Sequence, residues 1–75
     1  MNPRTFETTI RACAHDVIVR WWDIVGAVTD EDLEAAAEDR IRRCLANDFS
    51  SGQLVYCGED GSALGWWGIP GTVPP

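Results

Sequence analysis

Cys13, His15, Cys44 and Cys57 are the side chains with which this sequence could most readily do chemistry, because together they make the donor set of a Cys3His zinc site. Their spacing argues against it. No two cysteines form a C-x2-C knuckle, and residues 13 and 15 share a face only in a strand, diverging by about 200° in a helix. The sequence therefore predicts no metal and no cofactor, with three reduced, buried thiols and a surface histidine. Adding zinc or EDTA is expected to leave the melting temperature unchanged, and a clear fall with EDTA would contradict this reading.

Nucleophilic catalysis needs a thiol or hydroxyl, a base beside it and a group that orients the base. One histidine and three scattered cysteines offer no such pattern. Ser50, Ser51 and Gly52 lack the flanking glycines of a nucleophile elbow and the lysine of a phosphate-binding loop, and read as the entry into a strand. Carboxylates are dense from Asp30 to Asp39, but acids at a helix start are usually structural. A chain of 75 residues also has little volume for a deep pocket. The chain is read as not an enzyme.

The elements that would position these residues are clearest in the middle. Thr29 is a good N-cap, Asp32 can close a capping box, and Leu33, Ala37, Ile41, Cys44 and Leu45 recur at helical spacing, which predicts a helix over 30–47. Acids crowd its first turns and Arg40, Arg42 and Arg43 stand late, as the helix dipole favours, with Glu38/Arg42 and Asp39/Arg43 as i,i+4 pairs. Residues 52–69 read as a hairpin, with strands near 52–57 and 63–69 around Gly-Glu-Asp-Gly-Ser, and 70–75 as a trailing tail.

Residues 4–28 admit two readings. Phe6, Ile10, Cys13, Val17, Trp21, Ile24 and Val28 fall at spacings of three and four, as in an amphipathic helix started by Asn2-Pro3. Against this, "DVIVRWWDIVGAVT" is rich in β-branched and aromatic residues, and "TFETTIRA" alternates. A lone hairpin also needs further strands to be stable in water. The preferred fold is α+β, a single domain with a small antiparallel sheet and one helix packed on one face. Its order is β(β)-α-β-β, the N-terminal strand region being one bent piece or two broken near His15-Asp16. Two helices followed by a β-hairpin is the alternative.

In that fold each tryptophan pair, Trp21/Trp22 and Trp66/Trp67, splits between the two faces of the sheet, so one indole of each pair lands on the uncovered face. Trp67 shares the side of Ile69 and is assigned to the core; Trp66 and Trp22 are assigned to a contact surface. The acidic helix face, with Asp30, Glu31, Glu34 and Glu38, is a second candidate surface, able to meet a basic groove or simply to face water.

A net charge of −6, with no basic cluster, argues against direct nucleic-acid binding and favours a protein partner with a basic surface. There is no run of 18–20 apolar residues and no signal pattern, so the reading is no membrane and a cytoplasmic protein. All six basic residues are arginine, which suggests a GC-rich bacterial or phage genome. In size, charge and helix-plus-sheet make-up the whole chain resembles the small inhibitors of phages and mobile elements, anti-CRISPR proteins above all. That resemblance implies a non-enzymatic inhibitor that binds a CRISPR effector complex in a bacterial host cell. A self-associating accessory or structural subunit, forming a homodimer through its sheet face, is the alternative.

Overall fold

A computed structural model describes residues 4–70. Its elements are β1 (Arg4–Ala12), β2 (His15–Gly26), α1 (Asp30–Ala46), β3 (Ser51–Gly58) and β4 (Gly61–Gly68). The fold is α+β, with a four-stranded sheet in the order β1-β2-β4-β3 and every neighbouring pair antiparallel. This is the preferred expectation, and the two-helix alternative is overturned because residues 4–26 form a hairpin. The tail from 71 onward lies outside the described residues.

Because β4 lies between β2 and β3, those two strands run parallel, and parallel strands need a crossover of a dozen or more residues. Helix α1 is that crossover. Thr29 caps it through a complete capping box, accepting from the Asp32 N–H while the Asp32 carboxylate accepts from the Thr29 N–H. Leu33, Ala37 and Ile41, one residue from each successive turn, are fully buried against the sheet. Cys44 and Leu45 are half-buried at the margin of the same core.

The sheet face under the helix carries Val17, Val19, Trp21, Leu54, Ala63 and Trp67, all buried. The two core indoles lie over glycines on neighbouring strands, Trp21 opposite Gly65 and Trp67 opposite Gly52. A β-carbon on Gly65 would come within 2.6 Å of the Trp21 ring and 2.8 Å of the Arg20 carbonyl oxygen, so the ring occupies the place of a side chain. Gly65→Ala is accordingly expected to cost about 1–3 kcal/mol by overpacking, measured by urea unfolding. Neither core indole N–H has a hydrogen-bond partner among the described residues, and the large apolar area of each ring is what offsets that desolvation.

Two backbone irregularities shape the N-terminal hairpin. Its turn is Cys13-Ala14, between the paired residues Ala12 and His15, and both turn residues have positive φ, 49° and 67°. That is the primed geometry that matches the twist of a hairpin, and it places the expected break near His15-Asp16 at residues 13–14. Ala14 pays for a left-handed conformation that glycine adopts freely, so Ala14→Gly is expected to raise stability by about 1 kcal/mol in thermal melts. The second irregularity is a bulge at Asp23, whose φ is 51°. Between the pairs Trp22/Leu64 and Val25/Ser62, β2 has two residues where β4 has one.

Candidate functional site

Pleating sends the residues between the core positions to the other side of the sheet. There the register sets Trp22, Leu64 and Val55 in one row across β2, β4 and β3, and Arg20, Trp66 and Gln53 in the next. Val25 extends the apolar side chains beyond the bulge. Val55, Val25, Leu64 and Trp22 are 64%, 54%, 45% and 39% exposed, and Trp66 is half-buried between its neighbours. No described element covers them, since the one helix packs on the opposite face.

This open face is divided. Its β1 side is polar, with Glu7 accepting from Arg20 Nε at 2.7 Å and Asp16 accepting from Arg11 at 3.0 Å. Its β4–β3 side carries no charge, for neither SGQLVYCG nor GSALGWWG contains an ionisable acid or base of the Asp, Glu, Lys or Arg type. The result is a contiguous apolar patch bounded by ion pairs on one flank.

The structure brings Trp22 and Trp66 together as diagonal neighbours on this face and buries Trp21 and Trp67 behind it. It does not bring the acidic candidates to them. Asp30, Glu31, Glu34 and Glu38 are exposed on α1, in the layer on the far side of the sheet. Nor is that helix an unbroken negative strip. Arg4 donates to the Asp30 carboxylate and to the Val28 carbonyl, Glu38 is held by Arg42 at 2.9 Å and Asp39 by Arg43 at 3.4 Å. The Glu38 hydrogen bond and charge raise the pKa of Arg42 above its ordinary value. Among the described residues only Glu31, Asp32 and Glu34 of the six carboxylates from 30 to 39 lack an ion pair, and Asp32 serves the cap.

The cysteines are dispersed. Cys13 is exposed in the β1–β2 turn, Cys57 is exposed on β3 and Cys44 is half-buried on α1, which corrects the expectation of three buried thiols. Among the described residues no group of three His, Cys, Asp or Glu side chains is placed to hold a metal ion. No described helix is long and apolar enough to cross a membrane. The exposure of Leu64 and Val55 was not singled out from the sequence, although the signal is there: both share strand parity with Trp66, at positions 64 and 66 and through the cross-strand pair 55/64. No family model, curated protein or solved structure matches the chain.

Proposed function

We propose that this chain is a non-enzymatic binding protein that inhibits a larger protein by covering part of its surface with the open face of the sheet. The observation that supports this reading is the uncovered row Trp22–Leu64–Val55 with Trp66 beside it, in a fold whose core lies on the other face of the sheet, under α1. Aromatic anchors such as tryptophan at the centre of a patch are where interfaces concentrate their energy. The net charge of −6 suits a partner whose apolar patch is rimmed by basic groups. The anti-CRISPR resemblance gives the partner to test, a CRISPR effector complex in the bacterial cytoplasm, with no direct contact to nucleic acid.

Glu31 and Glu34 then act at a distance, as part of the field that steers encounter, since the sheet separates them from the contact face. Reversing both charges is expected to slow association with the basic partner at low salt and to change little at high salt, read by biolayer interferometry. The direct test uses purified effector complexes against the parent and the double variant Trp22→Ala/Leu64→Ala. The variant is expected to melt like the parent and to lose about 2 kcal/mol of binding, roughly 30-fold in Kd. Unchanged affinity of the double variant would contradict the assignment of the face, and no binding of the parent to any effector would contradict the partner.

A further inference from the structure

The two edges of the sheet are built differently. Edge strand β1 carries Arg4, Glu7 and Arg11 and faces a bulged neighbour, devices that discourage a foreign strand from pairing. Edge strand β3 has none of them. Its eight residues, SGQLVYCG, contain no charge and no proline, and its register with β4 runs from Ser51/Gly68 to Gly58/Gly61 without a shift.

The direction of its free backbone groups follows from the ladder. Ile69 N–H donates to the Ser50 carbonyl, so residues 50 and 69 form a hydrogen-bonded antiparallel pair. Such pairs alternate along the strand, which turns Gly52, Leu54, Tyr56 and Gly58 toward β4 and leaves the N–H and C=O of Ser51, Gln53, Val55 and Cys57 pointing out of the sheet. On its open side β3 meets the apolar patch, and on its helix side it borders a groove of about 500 Å³ whose rim carries Asp39 and Arg40.

From this we infer that β3 pairs antiparallel with the β3 of a second copy of the chain, joining two four-stranded sheets into one of eight strands about a two-fold axis through Val55. That axis sets Val55 against its own copy and Gln53 against Cys57, all of them outward-directed residues on the open face, so hydrogen bonding and facing agree. Val55, the most exposed large apolar side chain among the described residues, meets its equivalent. At the groove rim stand Arg40, which has no ion pair among the described residues, and Asp39, which already holds Arg43 at 3.4 Å, so each copy presents both a base and an acid to the other across the two-fold. Because the axis is perpendicular to the sheet, both open faces stay on one side and uncovered. The dimer therefore presents two contact patches side by side, and this inference stands or falls separately from the choice of partner.

The test is the mass of the full chain by sedimentation equilibrium from about 1 to 500 µM, the range in which weak and transient pairing is read, with amide hydrogen exchange followed at both ends. The mass is expected to double with concentration, and the outward amides of Gln53, Val55 and Cys57 to exchange at least about tenfold more slowly at the high end, as paired edge amides do. Val55→Pro removes one outward N–H without removing a bond to β4 and is expected to leave a folded monomer. Val55→Lys, which sets two like charges on the axis, is expected to do the same and serves if the proline variant does not fold. Trp22→Ala, on the face and away from the edge, is expected to leave the dimer intact. A monomer at every concentration would overturn the inference. So would a dimer whose outward amides exchange unchanged or which Trp22→Ala alone dissociates, since either result means stacking through the face.

Discussion

Trp67→Ala is expected to cost about 3–5 kcal/mol, whereas Trp66→Ala, one position away, melts close to the parent. The two indoles belong to different surfaces. Trp67 is fully buried, opposite Val19 on β2 and Gly52 on β3, in the layer closed by Leu33, Ala37 and Ile41. Nothing nearby can fill the space, because the facing position on β3 is a glycine chosen by the ring itself: a β-carbon there would stand 2.9 Å from Trp67 Nε1. Trp66 lies on the open face between Arg20 and Gln53, and its removal leaves a hollow that water can enter. A domain of 75 residues has roughly 4–11 kcal/mol in all, taking about 0.05–0.15 kcal/mol per residue, so the first substitution removes a large share and the second little. Parallel urea titrations measure both. Equal destabilisation by the two would mean that the faces are not distinct.

Leu33→Ala and Ile41→Ala are each expected to cost about 2–5 kcal/mol. Among the described residues helix α1 is the only element that covers the packed face, and it meets the sheet through a stripe in which Leu33, Ala37 and Ile41 have no exposed surface. With alanine already at the centre of the stripe, truncating either flank leaves a void between two rigid layers that no neighbouring side chain spans. The exposed positions of the same helix give the control. Glu31→Ala, outside the capping box, is expected to stay within about 0.5 kcal/mol of the parent, as surface substitutions do. If Leu33→Ala and Ile41→Ala melt like the parent, the helix does not pack on this face.

The helix was legible in the sequence because its signals are local and redundant: a capping box at Thr29 and Asp32, then an apolar stripe, then the arginines of the last turns. The C-terminal hairpin was legible because glycines frame its turn. The first 28 residues were ambiguous for a definite reason. Phe6 to Ile10 and Val17 to Trp21 are spacings of four, which a helix and a strand both place on one face, and the bulge at Asp23 turns the next step, Trp21 to Ile24, into a spacing of three. A strand irregularity thus imitates a helical period. The turn at Cys13-Ala14 carried no Asn or Gly to announce its positive φ.

The candidate site was half legible. Strand parity separated Trp66 from Trp67, but the layer in which the acids of α1 would lie depends on which face the helix covers, and only the three-dimensional arrangement sets Glu31 and Glu34 apart from Trp22 and Trp66.

The most direct test of a sheet with one packed and one open face is 19F NMR of the chain labelled with 5-fluorotryptophan, recorded with a soluble gadolinium chelate. Each resonance is assigned from a single Trp→Phe variant. The chelate is expected to broaden Trp22 strongly and Trp66 measurably, and to spare Trp21 and Trp67. Broadening of Trp21 or Trp67 to the level of Trp22, or protection of Trp22 and Trp66 alongside them at concentrations where the chain is a monomer, would contradict the account.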